Sequence, residues 1–298
     1  MLTIDFVINT ISLGSLYAML ALGLVIVYGI LKLVNFAYGE LLMIAGYALY
    51  LLGGMTASVP WFVIAILAVL VAAAASYLTE LVAFRPVRAK SLTAMLITSF
   101  AVSTLLQNAA LLLISPRARA VPLPAIFSQS MAVAGLDIPI RNILSILVAV
   151  VLFGALSLLL KYTVLGIALR AAADDFKMTR LLGVPANLVI SVAFIISGFF
   201  AGVVALFWAG RTGSVTPTIG AAPLLIAFVA CVIGGMTNLP GAVVGGYVYG
   251  IVYSLLSLWL PQYLLDYREA FMFLIVILIL LFRPSGLIRG HTTAERVG

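Results

Sequence analysis

Six stretches of this chain are apolar for roughly the thickness of a bilayer: Phe6 to Leu31, Trp61 to Thr79, Leu92 to Ile114, Ile143 to Leu160, Leu188 to Trp208 and Gly241 to Leu260. Runs near ~20 residues cross the hydrocarbon as helix, with every backbone hydrogen bond closed inside the segment. Three shorter runs, Leu41 to Gly53, Ala221 to Gly235 and Phe271 to Phe282, read as tilted, re-entrant or buried pieces of the same bundle. The expected fold is therefore all-α: a polytopic transmembrane helix bundle of about nine segments, with eight to ten allowed by how the short runs divide, in one domain over residues 1–298. With 65% hydrophobic and 8% charged residues and a mean hydropathy of +1.29, a soluble globular class is excluded.

The first run lacks a basic leader and a small-residue cleavage site and follows Asp5, so it is expected to be a retained helix. Cys231, the single cysteine, lies in an apolar segment and reads as a packing residue. The net charge of +7 is spread over short loops, which fits topology and not nucleic-acid binding. Placing the loop from Lys161 to Ala186 in the cytoplasm puts Lys32, Arg85, Arg88, Lys90, Lys161, Arg170, Lys177, Arg180, Arg283, Arg289 and Arg296 inside. Arg117, Arg119, Arg141, Arg211 and Arg268 then lie outside, and the bias predicts a cytoplasmic C-terminus.

The segments GELLMIAGYALYLLGG (Gly39 to Gly54) and GAAPLLIAFVACVIGG (Gly220 to Gly235) share length and terminal glycines, and under this topology they run in opposite directions. Short glycine-bounded segments at corresponding places of two halves point to an inverted internal repeat around a translocation path. Glycines four apart, at Gly198 and Gly202, Gly241 and Gly245, and Gly246 and Gly250, predict close helix packing within the subunit. The proline-rich outer loop (115–142) is expected to be an irregular lid or a short surface helix.

Catalytic chemistry finds little support. There is no phosphate-binding GxxxxGK[ST] loop, no metal-ligand spacing and no nucleophile elbow, and the single histidine, His291, sits in the polar tail. The inner loop, GIALRAAADDFKMTRLLGVPAN (Gly166 to Asn187), is the most patterned polar stretch. Leu169, Ala172, Phe176, Thr179 and Leu182 follow helical spacing, with Arg170, Asp174 and Lys177 opposite at spacings that permit ion pairs, and Gly183 and Pro185 end the pattern. It is either a helix lying on the bilayer surface or one that docks into a partner.

Three stretches together carry a resemblance over nearly the whole chain: ALGLVIVYGILKLVNFAYGELLMIAGY, the inner loop just quoted, and IAFVACVIGGMTNLPGAVVGGYVYG followed by LLFRPSGL. The chain resembles the LivH-type permease subunits of branched-chain (hydrophobic) amino acid ATP-binding-cassette importers. That resemblance implies a bacterial inner-membrane location, a homologous LivM-like permease partner, two ATPase subunits that bind the ATP, a periplasmic substrate-binding protein and surrounding membrane lipid. No cofactor is then needed in this chain, which is not expected to be an enzyme. The inner loop (161–187) corresponds to the family's coupling helix, with Arg170, Ala172, Ala173, Asp174, Phe176, Thr179, Leu182 and Gly183 expected at the ATPase. It keeps Ala172, Ala173 and Gly183 but lacks a glutamate before the alanines.

A carboxylate near the hydrocarbon costs about 2.5–3.5 kcal/mol on insertion scales, so Glu40 needs a reason. The sequence offers three: capping its own helix, lining a path or gate, or carrying a proton. Asn35 is placed to satisfy backbone groups at the break after Leu33, and the expected path residues are Asn35, Gly39, Glu40, Tyr47, Gly220 and Phe228. Gln107 and Asn108 are expected to hydrogen-bond between helices. The rival readings are a proton-coupled secondary transporter, a permease for urea or short amides, and a passive channel or scaffold.

Overall fold

The computed structural model describes residues 4–54, 59–88, 90–127, 129–133, 136–283 and 286–288. The expectations for Arg289, His291 and Arg296 lie outside these residues.

The bundle is built from α1 (Ile4–Leu31), α2 (Tyr38–Gly53), α3 (Trp61–Thr79), α4 (Arg85–Val87), α5 (Leu92–Leu113), α6 (Ile140–Tyr162), α7 (Val164–Asp174), α8 (Phe176–Leu181), α9 (Ala186–Thr212), α10 (Ala221–Gly234), α11 (Leu239–Trp259) and α12 (Arg268–Phe282). A π-helical turn, Glu80–Phe84, joins α3 to α4. Among the described residues six helical segments are long and apolar enough to cross a membrane, the second running from Trp61 through the π-helical turn to Val87, and α2 and α10 are shorter apolar helices. The chain is a multi-pass integral membrane protein.

α1 is apolar on all sides and is buried along most of its length, as such a helix must be inside a bundle. It packs on α9, α10 and α11, while α9 packs on α1, α2 and α3. Thus α3 stands to α9 as α11 stands to α1, and α2 bridges α3 and α9 as α10 bridges α11 and α1. The glycine pairs are the contact surfaces: Gly198 and Gly202 lie on α3 at Ala73 and Val69, and Gly246 and Gly250 lie on α1 at Ala18 and Gly14. Small residues let these backbones approach where lipid supplies no hydrophobic driving force. α5 and α6 are mostly exposed along their spans. Cys231 is buried and directs its thiol at the Ala21 carbonyl, 3.2 Å away.

The outer loop differs from the expected lid or surface helix. It holds strand β1 (Arg119–Ala120), a 3-10 turn at Ala125–Phe127 and an antiparallel hairpin of β2 (Ser130–Val133) and β3 (Leu136–Pro139). β1 pairs with β4 (Ser214–Val215) after α9, Arg119 opposite Val215. Prolines deny this loop a helix, and short strand pairs close its backbone hydrogen bonds instead.

Candidate functional site

The two short helices meet at their first turns. Gly39, in the first turn of α2, and Gly220, just before α10, touch backbone to backbone, and a methyl group on either would overlap the carbonyl of the other. Only glycine fits this crossing. The chain enters α2 through a turn in which Asn35 accepts from the Ala37 N–H at 3.0 Å, so Asn35 does satisfy a backbone group at the break.

Glu40 does not cap its helix. α2 has no side-chain cap bond, because the Tyr38 and Glu40 amides are already held by the Asn35 and Ala37 carbonyls. Its carboxylate, only 1% exposed, turns to α5, where Oε1 accepts from Ser103 Oγ at 3.0 Å and Gln107 Nε2 at 2.7 Å. Oε2 has no hydrogen-bond partner. Gln107 is thus the interhelical donor expected, whereas Asn108 bonds the Thr104 carbonyl of its own helix.

Asn35, Gly39, Glu40 and Gly220 therefore gather at one junction. Tyr47 and Phe228 stand two turns along α2 and α10 from it. Tyr47 is buried with an unpartnered hydroxyl and lines a cavity of about 790 Å³ with Met43, Ala48, Leu106, Ala110 and Arg119. Phe228 is half-buried.

The inner loop is not one helix but two. α7 ends at Asp174, Asp175 is extended, and its carboxylate caps α8 by accepting from the Met178 N–H at 2.9 Å. Aspartate competes for the backbone in this way and breaks the 3.6-residue period. Leu169, Ala172 and Thr179 are buried, Phe176 is half-buried, and Ala173 presents its carbonyl to Lys32 Nζ at 3.0 Å. Leu182 departs from the expected buried stripe: it is 78% exposed, beside Leu181 at 80%. The rotation introduced at Asp175 turns both outward. Arg170 and Asp174 are exposed, and among the described residues neither forms an ion pair. Gly183, at φ +84°, ends the loop in the left-handed region that glycine tolerates.

Sequence reading missed Glu80. It is fully buried at the π-helical turn and accepts from Arg85 Nη2 at 3.2 Å, Arg88 Nη1 at 3.5 Å and Ser191 Oγ at 2.9 Å. Arg88 also donates to Asn187, in the first turn of α9. Arg85 thus pairs with a carboxylate. The available signal was an acid five and eight residues before two arginines at a helix end. Arg211 at the other end of α9 donates to Ser12 Oγ at 2.8 Å and Asn142 Oδ1 at 3.1 Å, while Thr212 is exposed and Thr216 half-buried.

Residues 6–281 match the profile of a family described as the permease component of branched-chain amino acid transport systems. The chain is 35% identical to the high-affinity branched-chain amino acid transport system permease protein BraD of Pseudomonas aeruginosa, over 97% of this chain and 96% of that one. It is 33% identical to the protein LivH of Escherichia coli K12, described in the same terms, over the same shares. It is 28% identical to a probable LivH of Methanocaldococcus jannaschii, over 92% and 89%. No solved structure matches. These full-length matches, on a bundle whose short helices meet inside it, show that the chain belongs to the branched-chain amino acid transport permease family.

Proposed function

We propose that this chain is the membrane-embedded half of a binding-protein-dependent ATP-binding-cassette importer for branched-chain or other small apolar amino acids. It acts with a homologous permease, two ATPase subunits that bind and hydrolyse the ATP, and a periplasmic binding protein, in a bacterial inner membrane with its C-terminus in the cytoplasm. Its own work is mechanical and needs no cofactor. The observation that carries the reading is the full-length kinship of a chain whose inner loop presents unpartnered apolar side chains.

The matching packing of α1, α2 and α3 against that of α9, α10 and α11 supports an inverted repeat, with its two halves meeting at Gly39 and Gly220. The path runs along this junction and past Glu40 and Tyr47. Coupling enters through the segment from Arg170 to Gly183. Two tethers support that role: Lys32 holds the end of α7 to α1, and Arg88 holds the start of α9 to the Glu80 cluster. Met178, Leu181 and Leu182 are all exposed and form the docking surface.

The test is co-purification of the detergent-solubilised chain with its ATPase, comparing wild type with a Leu181→Asp, Leu182→Asp double variant that still elutes as a folded species. The expected result is loss of the ATPase. Retention would place the contact elsewhere, and absence of an ATPase even with wild type would favour a proton-coupled carrier working through the unpartnered Glu40 oxygen.

A further inference from the structure

We infer that a cavity at the end of the bundle opposite the inner loop binds the phosphate of a phospholipid headgroup, through Arg268 with Asn9 and Ser254, while Ser257, whose hydroxyl donates to the Tyr253 carbonyl at 2.7 Å, holds Arg268 in place. The cavity, about 310 Å³, lies between the start of α1, the end of α11 and the first residue of α12. Phe6, Leu13 and Leu258 complete its wall.

Arg268 is oriented but not neutralised. Its guanidinium lies over the Tyr253 ring, 3.9 Å from the centroid, and Nη1 donates to Ser257 Oγ at 2.8 Å. Its Nε has no partner, and among the described residues no carboxylate stands within ion-pair distance. Asp5, one turn before Asn9, and Glu269, next to Arg268, do not close that gap.

Ser254, on the same wall, is 4% exposed and its hydroxyl has no partner. A buried hydroxyl left without a bond is unfavourable unless an acceptor arrives. Asn9 is joined through Asn142 to Arg211, a second guanidinium without a carboxylate. Clustered arginine on the side that topology favours least is not explained by the charge bias that orients membrane proteins. A phosphodiester supplies what is missing: one negative charge with oxygens suited to a planar guanidinium fork, and apolar substituents for the rest of the wall. The exposed rings of Trp259, Tyr263 and Tyr267, in the segment that leads from α11 to Arg268, set the level of the cavity, since such side chains gather at the headgroup layer.

The experiment is native mass spectrometry of the full chain, with whatever subunits co-purify, after delipidation and addition of phosphatidylglycerol, diacylglycerol with the same acyl chains, or inorganic phosphate. Wild type should retain one phosphatidylglycerol and at least about tenfold less diacylglycerol, and Arg268→Gln should lower the occupancy about tenfold. Ser254→Ala decides the matter if Arg268→Gln does not fold. It should melt no lower than wild type without lipid, because it removes an unpaired group, yet gain less from added phosphatidylglycerol. Equal retention of diacylglycerol, retention unaltered in both variants, or binding of inorganic phosphate without the lipid would each overturn the assignment.

Discussion

The two ends of α9 carry opposite solutions to the same problem, an ionised side chain at the edge of an apolar bundle. At the inner-loop end the buried carboxylate of Glu80 collects two guanidiniums and a hydroxyl, and binds together the π-helical turn after α3 and the start of α9. At the other end Arg211 finds only neutral acceptors, Ser12 and Asn142, which also bond one another and Ser145. The first cluster depends on its carboxylate, because removing Glu80 leaves two guanidiniums without a counter-charge. The second keeps most of its bonds without its charge.

Breaking the comparison begins with Glu80→Ala, the largest expected effect. Loss of one partner from a buried ion cluster costs about 3–5 kcal/mol, and the partial exposure of Arg85 and Arg88 places this one toward the lower value. Thermal unfolding in nanodiscs would register it, and a loss under ~1 kcal/mol would mean the cluster is incidental. Glu40→Ala comes next, at about 1–3 kcal/mol, because it leaves Ser103 and Gln107 without their acceptor; Glu40→Gln should recover much of that loss. If Gln transports as well as Glu, the negative charge is dispensable and proton coupling at this site fails with it. Ser191→Ala should cost about 1 kcal/mol, since Glu80 retains both arginines. Arg211→Met is expected to be the mildest, within about 1 kcal/mol, because Ser12, Asn142 and Ser145 still satisfy one another. A larger penalty than that for Glu80→Ala would reverse the comparison.

Much of the fold around the candidate site was legible because membrane segments are written in hydrophobic length and glycine spacing. The runs ending at Leu31 and beginning at Trp61, Leu92 and Ala221 coincide with helix ends. Gly39 and Gly220 stood out as matched positions before their contact was known, and the inner loop was located by its polarity. Its division at Asp175 was missed because five residues still fit a single helical stripe, and only the cap on Met178 shows that the period resets there. The role of Glu80 was missed for a similar reason, since its partner Ser191 lies 111 residues away on α9, the helix that also carries Asn187, which Arg88 bonds from the same cluster.

The sequence by itself determined that this is a membrane bundle, how many long segments it has and which family it belongs to. These follow from local quantities: bilayer thickness fixes run length, and close backbone approach demands glycine. Tertiary structure alone decided that Glu40 turns to α5 instead of its own helix end, that Leu182 faces outward, and that the arginines at the two ends of α9 differ in having or lacking a carboxylate. Those choices depend on which polar group a folded neighbour brings within about 3 Å in a medium without water, and hydrogen-bond geometry at that range is not encoded in any single segment.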